Sequence, residues 1–139
     1  SHRKRLTFQT AGSKQRPDFS IIRGSGHEVY TDGSVQNDTG GGSVVSFQDN
    51  VESKATLYNF PSHSTILQIE CAMLTEAVLK NTEMNTRMYT DSFSTLSGLN
   101  SIKPKATIVP LISALHAAQN SIQLIWLPSH SGFAGNERA

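Results

Sequence analysis

The sequence predicts an α/β fold: a mixed five-stranded sheet with helices on its faces. Three β-rich runs separated by tight turn signals fill residues 28–60, and beyond them helical and strand patterns alternate as far as residue 127. Hairpin-linked strands pair antiparallel, whereas strands separated by helices return parallel, so the sheet is mixed. Acidic residues fall at strand ends, where open α/β sheets place their ligands.

The first run, Val29-Tyr30-Thr31, stops at the turn signal Asp32-Gly33-Ser34. The second, Ser43–Phe47, follows Gly40-Gly41-Gly42, and a turn at Gln48-Asp49-Asn50 leads into the third, Ala55–Phe60. Leu67, Cys71, Leu74 and Val78 then recur at i, i+4, i+7 and i+11, an apolar stripe that predicts a helix. Thr86–Thr90 is a short strand with Asp91 at its end, and Ser92–Leu99 reads as a short helix closing near Gly98 and Asn100. Ile108, Leu111, Ile112 and Leu115 share one face of a further helix, with Thr107 as its expected cap and Pro110 in its first turn. Ile122–Leu127 is a buried-looking strand closed by Pro128, and residues 129–139 read as a loop.

The chain has 139 residues, 37 % of them hydrophobic, which suits one globular domain. No stretch approaches the roughly 20 apolar residues that cross a bilayer. The basic start lacks a signal peptide's apolar segment and does not open on Met, so the sequence is expected to be part of a longer protein. Cys71 stands alone, which excludes an internal disulfide and a cysteine-based zinc site and favours a reducing compartment. The five histidines, at 2, 27, 63, 116 and 130, have no zinc-binding spacing. Residues 1–27 carry six Lys or Arg against one Asp, a net of +5, while residues 28–139 carry −4. They also hold Gly12, Pro17, Gly24 and Gly26 and no sustained apolar period, so they read as a flexible basic linker or arm. Such an arm suits a polyanion, because each cation near a phosphate releases counterions; it would equally serve as a solubilising linker.

Three carboxylates combine into a candidate site. Asp32 ends the first strand, Glu70 lies beside the helical stripe, and Asp91 ends the fourth strand. Glu70 should be partly buried against the sheet, where a carboxylate is costly unless paired or metal-bound. A cluster of such groups cannot stay ionised without a cation. Hard oxygen ligands open to a phosphate suit Mg²⁺, and two ions roughly 4 Å apart would activate a water and stabilise the leaving oxygen of a phosphodiester. Any one of these acids alone would more readily be read as a cap or turn residue, and the case needs their combination.

The combination resembles the ribonuclease H family, most closely the domain of non-LTR retrotransposon reverse transcriptase polyproteins. Tyr30-Thr31-Asp32-Gly33-Ser34 is similar to the family's first-strand motif, Ser64–Glu70 to the start of its first helix, and Tyr89-Thr90-Asp91-Ser92 to its third motif. Trp126–Ala139, with His130 and Gly135-Asn136-Glu137, resembles its C-terminal signature. The resemblance covers residues 29–139. It implies a ribonuclease H fold and an endoribonuclease that cuts the RNA strand of RNA–DNA hybrids. It also implies two Mg²⁺ ions (Mn²⁺ as substitute) on Asp32, Glu70 and Asp91, with His130 assisting in product release or proton transfer. The hybrid would be read by shape and 2′-hydroxyls, with Gly33, Ser34, Ser92 and Asn136 as contacts. A linked reverse transcriptase domain, and work in cytoplasm or nucleus, are further expectations.

The family's fourth carboxylate would follow Ala139, and its closing helix would follow that, so the domain is expected to be truncated at its C-terminal end and to leave sheet surface uncovered. Glu137 is a separate residue of the pattern and not a ligand. Ile69 stands where a small residue is usual and Cys71 where Leu is common. Two other readings remain: a catalytically incomplete module that binds nucleic acid or scaffolds a reverse transcriptase, and an integrase- or transposase-like core. Glu70 on the first helix argues against the second of these. Trp126, Tyr30 and Tyr89 are expected in the core, and His63 and His116 in structural roles.

Overall fold

The computed structural model of the chain describes residues 5–11 and 24–128. Its elements are β1 (Phe8–Thr10), β2 (His27–Gln36), β3 (Thr39–Gln48), β4 (Val51–Phe60), α1 (Ile66–Lys80), β5 (Thr86–Thr90), α2 (Phe93–Ser97), α3 (Val109–Ala117) and β6 (Ile122–Trp126). The strands form one sheet in the order β1-β6-β5-β2-β3-β4. β2, β3 and β4 pair antiparallel, while β5 pairs parallel with β2 and with β6. The mixed α/β architecture is therefore as expected, and it is that of a ribonuclease H-like fold.

The sheet has six strands and not five. The added strand, Phe8–Thr10, comes from the stretch read as linker and pairs parallel with Leu124–Trp126. Three residues have no room for an alternation to show, and a partner more than a hundred residues away makes the strand.

Asp32-Gly33-Ser34 is not a turn. β2 runs through it to Gln36, with Asp32, Gly33 and Ser34 paired to Ser43, Gly42 and Gly41 inside β3. The reversal comes at Asn37 and Asp38, with φ of 52° and 62°, and again at Asp49 and Asn50, with φ of 50° and 67°. Two consecutive left-handed residues match the twist of a two-residue hairpin, and Asn and Asp tolerate that conformation best after Gly.

α1 starts at a capping box. The amide of Gln68 donates to Thr65 Oγ1 (3.1 Å) and the Thr65 amide to Gln68 Oε1 (2.8 Å). Its buried face is wider than the expected stripe, because Ile69, Met73 and Ala77 are buried beside Cys71, Leu74 and Val78. Glycines in the sheet make room for it: a Cβ at Gly40 would lie 2.6 Å from Ile69 Cδ1, and one at Gly42 2.5 Å from Met73 Sδ. A large residue at position 69 is thus compensated by the glycines beneath it.

α3 has Pro110 in its first turn as expected, but Thr107 does not cap it. Ile108 holds the cap position, without a side-chain cap bond. Ile108 is 3 % exposed and reaches Gly98, where an added Cβ would meet its Cδ1 at 2.5 Å. Apolar burial thus sets this helix start.

Residues of all three helices join Val29, Val44, Met88 and Leu124 in the main core on one side of the sheet. A second cluster contains Tyr30, Tyr89, Ile125 and Leu127, with the two tyrosines stacked at 4.4 Å. These four are buried. The expectations about the closing helix and the C-terminal loop lie outside the described residues.

Candidate metal centre

Pairing between β2 and β5 ends at Tyr30 and Tyr89, while β5 stays paired with β6 as far as Thr90. Beyond that point β2 continues with β3 alone, which opens a notch between the strands. Asp32 lies on β2 past the last residue paired with β5, and Asp91 follows the end of β5. Glu70, in the second turn of α1, completes the set. One ligand oxygen from each of Asp32, Glu70 and Asp91 lies within 4.8 Å of the others. The three carboxylates singled out from the sequence therefore meet.

Each is positioned by local chemistry. Asp91 is followed by Ser92, which caps α2 through the Thr95 amide (3.4 Å) and bonds Thr95 Oγ1 (2.7 Å). The carbonyl of Asp91 accepts from Trp126 Nε1 (3.3 Å). Thr95 also meets Cys71 Sγ at 3.5 Å, which ties α2 to the turn of α1 that carries Glu70. Trp126 is only partly buried, so its indole joins the support of the site as well as the core.

Glu70 is 4 % exposed. Its Oε1 accepts from the Gly33 amide at 3.2 Å, while Oε2 is buried with no hydrogen-bond partner. Burial, then the negative charges of Asp91 and Asp32, push its carboxyl up to about 8; the Gly33 amide opposes that rise, and a proton shared with Asp91 adds to it. A buried carboxylate oxygen without a donor, beside two further carboxylates, is an arrangement that a divalent cation satisfies. The residues therefore fit a hard cation with oxygen ligands.

A cleft of about 340 Å³ opens over Glu70 and Asp91, lined also by Gly33, Ile66, Leu67, Ser92, Phe93 and Ser94. A second, of about 230 Å³, runs from Asp32, Gly33 and Ser34 across β3 to Tyr58 and Asn59 on β4. Gly33, Ser34 and Ser92, expected as substrate contacts, all line one or both. His130 and Asn136 lie outside the described residues. The sequence did not point to Ile66 and Phe93, which are 49 % and 51 % exposed in the cleft wall. Their signal is a large apolar residue at the first position of a helix, next to an acidic motif. His63 sits on the surface, where its Nδ1 lies 3.2 Å from Asp38 Oδ1, so it braces the β2–β3 turn.

The sequence model of the RNase H family matches residues 25–139. The chain belongs to the RNase H family. No curated protein matches it. Family membership supports nuclease activity of the ribonuclease H type, and its carboxylates meet where such chemistry needs a metal.

Proposed function

We propose that this RNase H chain is an endoribonuclease that hydrolyses the RNA strand of RNA–DNA hybrids with two divalent ions. The observation that carries the reading is the meeting of Asp32, Glu70 and Asp91 within 4.8 Å, with a buried Glu70 oxygen that has no hydrogen-bond partner. Those three residues would hold the ions, Mg²⁺ by preference for all-oxygen ligands and Mn²⁺ as a substitute. Ions held there supply an activated water and neutralise charge on the phosphodiester. Glu70, anchored by the Gly33 amide, orients one wall of the site; Asp91, anchored through Trp126 and the Ser92–Thr95 contacts, orients another. Gly33, Ser34, Ser92 and Asn136 are assigned to substrate contact, and His130 to proton transfer or product release.

The motifs' likeness to retrotransposon domains supports a place beside a reverse transcriptase in a longer polyprotein, working in cytoplasm or nucleus. Residues 28–139 would form the catalytic domain and residues 1–27 a basic arm that lends it one strand.

The test is cleavage of an end-labelled RNA–DNA hybrid in Mg²⁺ by the chain and by Asp32→Asn. Cleavage by the first, reduced by on the order of a hundredfold or more in the second with an unchanged circular dichroism spectrum, is the expected result. Equal cleavage by both sinks the site assignment. Binding of the hybrid without cleavage by either protein leaves the non-catalytic module as the better reading.

A further inference from the structure

The wall of the cleft over Glu70 and Asp91 is apolar where its floor is charged. Ile66 and Leu67 form part of it from the first turn of α1, and Phe93 forms another part from the start of α2. Ile66 and Phe93 each leave about half of their surface to solvent. Large apolar side chains so exposed beside an ion-binding floor lose hydration free energy that packing against a partner would recover. Phe93 is also held in place: its ring meets Trp126 at 5.1 Å and Phe8 at 5.8 Å, both edge-on. Trp126 in turn donates to the Asp91 carbonyl, so the ring and the carboxylate share one support. Among the described residues, no Lys or Arg lines this cleft or the one that adjoins it at Gly33.

A phosphodiester lying over the carboxylates brings a nucleoside against each side of the cleft. Sugars and base faces are apolar surfaces, and every base offers a π face to an aromatic ring. We propose that Phe93, with Ile66 on the α1 wall, positions the nucleoside beside the scissile phosphate by packing against its base and sugar; the proposal rests on the nuclease reading above. Packing contacts release no counterions, so this hold on the substrate is independent of salt. It also differs in kind from the contacts assigned to Gly33, Ser34 and Ser92, which work through backbone and hydroxyl groups.

The experiment measures kcat and KM on a labelled RNA–DNA hybrid in Mg²⁺ for the chain, Phe93→Ala, Phe93→Leu and Ile66→Ala, at about 50 and 200 mM salt. Phe93→Ala should raise KM about tenfold and leave kcat within about twofold. Phe93→Leu should fall between, and the KM ratio to the unsubstituted chain should be the same at both salt concentrations. Ile66→Ala should raise KM by about threefold at both, and it secures the test if Phe93→Ala fails to fold, since Ala is a good helix former at that exposed position. An unchanged KM in folded Phe93→Ala and in Ile66→Ala overturns the proposal. So does a fall in kcat at constant KM, which would make Phe93 only a prop for Asp91. If the chain binds hybrid without cutting it, the same substitutions are read as Kd by fluorescence anisotropy. A tenfold weaker Phe93→Ala would then uphold the packing surface while the nuclease reading fails, and absence of hybrid binding would overturn both.

Discussion

At Glu70, burial and two neighbouring carboxylates act in the same direction, and the physical consequence is a stability that depends on pH and on metal. The folded carboxyl is pushed up to about 8, above the ordinary 4.5 that it regains on unfolding. Between those values the folded chain holds a proton that the unfolded chain has released, so stability falls as pH rises across that window. The full difference corresponds to on the order of 5 kcal/mol in metal-free protein. Urea unfolding in EDTA should therefore show a lower midpoint at pH 8.5 than at pH 5. Glu70→Gln should flatten that slope, because its amide never ionises, and should abolish hybrid cleavage. Mg²⁺ should restore the midpoint at pH 8.5 in the unsubstituted chain and not in Glu70→Gln, since a ligand that binds only the folded state stabilises by mass action. Identical slopes in EDTA for both proteins would show that Glu70 is not the titrating group.

The tight seat of α1 on β2 and β3 is an element-scale feature, built from glycines that give up their side chains to a helix. A Cβ at Gly33 would lie 2.7 Å from Ile69 Cγ2 and 3.3 Å from Glu70 Cδ. Gly33→Ala should cost about 1–3 kcal/mol by overpacking and weaken Mg²⁺ binding through displacement of Glu70. Adding Ile69→Leu, which removes the Cγ2 methyl from Cβ, should recover part of the loss, a coupling that a thermal-melt double-mutant cycle would read; strict additivity would show that the two do not meet. This packing was only half legible in the sequence. The hairpins, α1 and the carboxylate motifs could be read because periodicity and turn residues are local. Asp32-Gly33-Ser34 was misread because Asp-Gly is a turn dipeptide by itself, and only Gly41, Gly42 and Ser43 opposite and α1 above make it a strand. Thr107 was misread as a cap because the burial of Ile108 depends on Gly98, ten residues away. Ile66 and Phe93 were missed because an exposed apolar side chain carries no periodic mark.

On the scale of the whole molecule, charge and topology are unevenly shared between the first residues and the rest. The +5 of residues 1–27 faces a body of −4, and the two clefts at the site lack lysine and arginine linings among the described residues. Long-range attraction for a polyanion should therefore come largely from the arm. Replacing Arg3, Lys4 and Arg5 with Ala should reduce the slope of log Kd against log salt for hybrid binding by about 2–3, with the cut site unmoved. An unchanged slope would assign the arm a linker's role. β1 has a second consequence, one of order in time. It is the first strand in the chain, yet its partner is β6, with Phe8 set against Leu124, and the strand next to β6 is β5 rather than β2. During synthesis β1 therefore emerges before the other strands of the domain and must wait until β6 has followed before its place in the sheet exists, so the strand made earliest in the domain is among the last to dock.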